Sequence, residues 1–150
     1  MAAVKVITNI GPIFNQIASK FELLKDREYL LRPLAIETIP NMKERIHKNG
    51  NASDGGQIGT YSTGYMRQRE KANRSEDRKV IVSLTRQLEN DWQVVGTTKG
   101  YAIGFNNPFN FKKAGWVEEN QGKIIFNLSA DEKQYITERT QELVNGIFNT

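Results

Sequence analysis

The chain contains no cysteine and a single histidine, His47. Disulfides and thiolate metal sites are therefore excluded, and no histidine cluster or zinc site can be assembled from it. No apolar run reaches the roughly 18 residues that a membrane-spanning helix needs. The opening MAAVKVITNIGPIF lacks a charged start followed by an apolar core, so no signal peptide is expected. Internal repeats and low-complexity tracts are also absent. What is present is 150 residues, 38% of them hydrophobic, with a net charge of +4. That length suits one domain, able to bury about two thirds of the surface its unfolded chain would expose. The mild positive balance permits contact with nucleic acid without requiring it.

Four zones follow one another. Residues 1–48 are read as helical. Ile13, Ile17, Phe21 and Leu24 recur at helical spacing, and Leu30, Leu31, Leu34, Ile39, Met42 and Ile46 form a second series. Pro33 and Pro40 interrupt that series, which predicts one kinked helix or two shorter pieces, stopped at Gly50. Residues 49–79 carry five glycines and little apolar periodicity, then turn strongly charged. A connection of that length is usually functional or disordered. Because it keeps Ile58, Tyr61, Tyr65 and Met66, it reads as an extended arm that reaches a neighbouring subunit.

Residues 80–128 read as a sheet. Val80, Val82 and Leu84 alternate, as do Trp92 and Val94, then Tyr101, Ile103 and Phe105, and last Ile124, Phe126 and Leu128. Four such runs predict a four-stranded antiparallel meander, with a short helix near 108–119 started by Pro108. In residues 129–148, Ser129 and Glu132 form a capping box ahead of a C-terminal helix expected to cover one sheet face. The expected fold is thus α+β: N-terminal helices, a long extended arm, and a four-stranded antiparallel sheet packed against a C-terminal helix.

Catalysis requires poised acids, bases or nucleophiles, and the candidates are weak. His47 stands near a helix end, where a cation suits the dipole. Glu118 and Glu119 are adjacent, so on a helix they point about 100° apart and cannot share one proton. The stretch NASDGGQ has a calcium-loop flavour, yet the twelfth residue from Asn51 is Ser62 where a glutamate is needed. Neither GGQIG nor GTTKG is a phosphate-binding loop. No catalytic residue, metal site or cofactor is expected, and the chain is read as a non-enzyme.

The basic residues of the middle zone admit two readings. Next to Tyr61 and Tyr65, Arg67, Arg69, Lys71, Arg74, Arg78 and Lys79 suit phosphate contacts. Three acids in the same stretch, Glu70, Glu76 and Asp77, suit a solvated loop or ion pairs with a neighbour.

Three stretches carry a family likeness: RIHKNGNASDGGQIGTYSTGY (45–65), SLTRQLENDWQVV (83–95), and GYAIGFNNP followed by GWVEENQGKIIFNLSADEKQYI (100–136). Their order resembles the tailed-bacteriophage virion morphogenesis, or tail-completion, family of head–tail connector and neck proteins, in its Bacteroidetes-phage form. Arg86 stands where that family has a glycine, and the usual histidine near the Tyr101–Ala102 element is absent. The resemblance implies a structural virion protein with no reaction, assembled in the bacterial cytoplasm. It implies a homo-oligomeric ring, a hexamer or dodecamer, between portal-proximal neck proteins and tail proteins, around a channel for genomic DNA. In such a ring Ile58, Tyr61, Tyr65, Met66, Arg67 and Arg69 are the expected subunit-interface arm. Lys71, Arg74, Arg78 and Lys79 are the expected channel or charge contacts. The alternative is a small DNA- or RNA-binding regulatory protein that uses the basic arm.

Overall fold

The computed structural model describes residues 11–74, 78–83, 86–98 and 100–149. Among them the fold is mixed helix and sheet: α1 (Gly11–Lys25), α2 (Arg27–Lys43), α3 (Thr63–Lys71), β1 (Trp92–Thr97), β2 (Gly100–Phe105), α4 (Pro108–Gln121) and α5 (Ala130–Phe148). The hairpin β1–β2 is antiparallel, with Trp92 opposite Phe105 and Thr97 opposite Gly100.

Asp26 starts α2 by accepting the Tyr29 amide, and the helix runs through both prolines. It then widens into one π-turn, Glu44–Lys48. Three successive residues of this turn, Arg45, Ile46 and His47, are buried. Successive helical side chains point about 100° apart, so the turn is driven into the middle of the molecule and feeds three different contacts. Gly50 ends it at φ +66°, and a Cβ there would stand 2.5 Å from the Val80 carbonyl oxygen. Only glycine suits that position. The capping box at α5 forms as expected: Ser129 Oγ accepts the Glu132 amide, and Glu132 Oε2 accepts the Ser129 amide at 2.8 Å.

Three expectations are corrected. The sheet has two strands among the described residues, not four. Val82 takes φ +50°, a left-handed conformation that breaks an extended run, while Leu84 lies outside the described residues. Residues 124–128 form no ladder because side chains take their backbone groups. Glu118 Oε1 accepts the amides of Ile125 and Phe126, and Arg45 donates to the carbonyls of Ile125 and Asn127. The inward residue is therefore Ile125, fully buried, and not Ile124, which is 61% exposed. Second, the hairpin packs on α2 and α4, whereas α5 packs on α1 and α2 and does not cover the sheet.

Third, the described part of residues 49–79 is not an extended arm. Ala52 and Ile58 join Ile46, Val80 and Ile125 in the core cluster. Residues 59–61 lie against 78–80, with the Val80 amide donating to Gly59 O and the Tyr61 amide to Arg78 O. Ser62 then caps α3 by accepting the Tyr65 amide. The apolar side chains that suggested docking on a neighbour dock on this chain instead.

Candidate functional site

Three of the six expected interface residues, Ile58, Tyr61 and Arg69, brace the fold, as do the expected charge contacts Arg74 and Arg78. Ile58 is buried in the core. The Tyr61 hydroxyl accepts the amides of Ile81 and Val82, both at 3.2 Å, and so holds the strained Val82 in place. Arg69 is 1% exposed; it donates through Nη1 to Ser83 O at 2.6 Å, and its guanidinium lies 4.5 Å from the centre of the Tyr61 ring. Arg74 donates to Ser83 Oγ, and Arg78 donates twice to Tyr61 O. Lys79 pairs through its backbone with Thr60. Tyr65 and Met66 are half-buried on α3, and Arg67 and Lys71 are exposed. Glu76 and Asp77 lie outside the described residues. Among the described residues Arg69 has no ion-paired carboxylate, and neither its Nε nor that of Arg74 has a hydrogen-bond partner.

His47 is not a surface cap. Trp92 Nε1 donates to its Nε2 at 3.0 Å, and its Nδ1 is 3.2 Å from Ile81 O. An indole N–H can only donate and a carbonyl can only accept, so the buried ring is neutral with its proton on Nδ1. Burial holds its pKa below the ordinary histidine value. The unfolded chain therefore binds a proton before the folded chain does, so stability falls as pH drops below the ordinary value. With one histidine in the chain, a urea midpoint that falls between about pH 7 and pH 5 should be its signature. His47→Asn should flatten that slope; an unchanged slope in the variant would remove the assignment.

Asp54 makes a local turn, accepting the Gly56 amide and Lys123 Nζ. No group of three metal-ligating side chains occurs among the described residues. No helix among them is long and apolar enough to cross a membrane.

Two surfaces stand out instead. The first is α1. Its predicted core face is largely uncovered: Ile13, Ile17 and Phe21 are 55%, 44% and 52% exposed. Phe21 meets Phe148 edge to face at 5.3 Å, and Lys20 Nζ donates to Phe148 O. Beyond these contacts Ile13 and Ile17, four residues apart on one helix face, lie about half exposed.

The second is a cleft of about 730 Å³ between the start of α3, the segment 80–88 and α4. Tyr61, Tyr65, Trp116, Arg86 and Lys113 line it together with hydroxyls and amides, and among the described residues no carboxylate does. Val82 and Arg86 on its floor both have positive φ, +50° and +64°. Strained backbone persists only where surrounding contacts hold it. Sequence reading singled out Tyr61 and Tyr65 but missed Arg86, Lys113 and Trp116. Phe109, Lys112, Lys113 and Trp116 recur at the three- and four-residue spacing of one helix face, and that signal was available.

No protein-family model, no curated protein and no solved structure matches this chain.

Proposed function

We propose that this protein is a structural subunit of the head–tail junction of a tailed bacteriophage, working as one copy in a closed ring around the DNA channel. It performs no reaction. Its partners are further copies of itself, in a hexamer or dodecamer, with portal-proximal neck proteins on one side and tail proteins on the other, and its place is the virion. The likeness of residues 45–65, 83–95 and 100–136 to tail-completion proteins supports this reading.

The observation that carries association is the open face of α1, where Ile13, Ile17 and Phe21 lie about half exposed in succession. A contiguous apolar patch of this kind marks an interaction site. A ring contact is head-to-tail, so the α1 stripe on one copy meets a different surface on the next. This gives α1 the role first expected of the segment 49–79.

Native mass spectrometry and light scattering test the proposal. Wild-type protein should assemble into a closed oligomer, and Ile13→Glu with Ile17→Glu should yield a folded monomer. A wild-type chain that stays monomeric at tens of micromolar, or a double variant that still assembles, overturns it.

A further inference from the structure

The cleft and α4 form a surface that the ring reading does not use. On α4, Phe109, Lys112, Lys113 and Trp116 share one face. Phe109 is 53% and Trp116 51% exposed, their rings 6.1 Å apart and edge to face. Lys113 Nζ lies 4.7 Å from the centre of the Phe109 ring and donates to Gln87 Oε1. The face thus interleaves cations with flat rings, and it leads into the cleft through Lys113, Trp116 and Asn120.

The cleft continues the same chemistry. Tyr65 and Tyr61 add rings 5.0 Å apart. Arg86 adds a cation, 64% exposed and 3.4 Å from Glu89. Gln87, Asn120 and Gln121 add amides that both donate and accept. Among the described residues no carboxylate lines the cleft, and Arg69, 1% exposed, bonds to its lining residue Ser83 and stacks on its lining residue Tyr61. Glu119, exposed beyond Trp116, bounds the stripe at its far end.

We propose that this stripe and cleft bind a single-stranded nucleic acid, with unstacked bases on Trp116 and Phe109 and phosphates at Lys112, Lys113 and Arg86. Single-strand sites combine a basic groove with successive aromatic faces in this way. In a duplex the bases are already stacked on one another and present only their edges, so these rings would find no base faces. An acidic peptide would satisfy the cations but leave the row of rings without flat partners. The inference does not depend on the ring reading, because none of these residues belongs to α1.

The test is fluorescence anisotropy of labelled oligothymidine, about 20 nucleotides long so as to exceed one binding site, titrated with the full-length protein. The same titration is run with a duplex of equal length, and competition with thymidine monophosphate and with oligoglutamate. Single strands should bind, more weakly as salt rises. Trp116→Ala, at an exposed position, should weaken binding at least about fivefold, the low end for one lost base–aromatic stack. Lys113→Ala should reduce the salt dependence, and both variants should keep the wild-type circular dichroism and oligomeric state. Absence of binding at low salt overturns the proposal. So does equal affinity for duplex, indifference to Trp116→Ala, or displacement by oligoglutamate as effective as by unlabelled strand. Monophosphate that competes as well as the strand would instead make this a free-nucleotide cleft.

Discussion

Arg45→Ala should cost about 3–5 kcal/mol of folding stability, the usual penalty for leaving one half of a buried ion pair alone. Arg45 and Glu132 form a forked pair, with Nε 2.6 Å from Oε1 and Nη2 3.3 Å from Oε2, and their side chains are 10% and 4% exposed. Arg45 also donates to the carbonyls of Asn51, Ile125 and Asn127, at 3.1, 3.0 and 2.8 Å. It therefore ties the end of α2 to the turn after it, to the segment before α5, and to the cap of α5. Truncation strands a buried carboxylate and three carbonyls at once. Lysine cannot reproduce the planar fork, so Arg45→Lys should recover little. Arg45→Met combined with Glu132→Leu removes both charges, yet the three carbonyls stay unpaired, and that double variant should remain below wild type. Urea denaturation followed by tryptophan fluorescence measures all three. A loss under about 1 kcal/mol for Arg45→Ala, the value of an exposed pair, would mean the network is not formed as described. Total stability of a domain is about 5–15 kcal/mol, so the expected loss leaves Arg45→Ala only marginally folded.

The other large effect separates two neighbouring isoleucines. Ile125→Ala should cost about 2–5 kcal/mol, since Ile125 is fully buried against Ile46, Ala52, Ile58 and Val80. Ile124→Ala should change stability by no more than about 0.5 kcal/mol, because its side chain is 61% exposed. The two substitutions are chemically identical, so the contrast tests the direction of the chain at this point and nothing else. Equal losses would show that the segment 124–128 sits in a different phase. The same urea experiment decides it.

That segment shows how far a sequence pattern reaches. Ile124, Phe126 and Leu128 alternate as a strand would, and strand periodicity assumes backbone partners from a neighbouring strand. Here Glu118, on the helix just before, and Arg45, some eighty residues away, supply those partners as side chains. No local pattern announces that substitution. The hairpin was legible because its two strands adjoin across one short turn: Trp92 to Val94 and Tyr101 to Phe105 alternate around a glycine-bounded turn, and the strands form there. The helices α4 and α5 were legible because Pro108 suits a first helical turn and Ser129 with Glu132 satisfies a helix start from within the same few residues.

The candidate surfaces divide in the same way. The period of Ile13, Ile17 and Phe21 is enough to make α1 a helix with an apolar face, but a period does not say what covers that face. The rings of Tyr61 and Tyr65 marked their zone as one that docks, yet the surface they dock on belongs to the same chain. Sequence alone determined where α4 and α5 begin, where the hairpin turns, and that no thiol or multi-histidine chemistry can occur, because each of these rests on residues close together or on residues absent. Tertiary structure alone decided which isoleucine points inward, that Arg69 and His47 are braces, and that Trp116, Lys113 and Arg86 meet in one cleft. Those outcomes depend on partners brought together by folding, and the free energy of a buried contact is set by what the group meets, not by its neighbours along the chain.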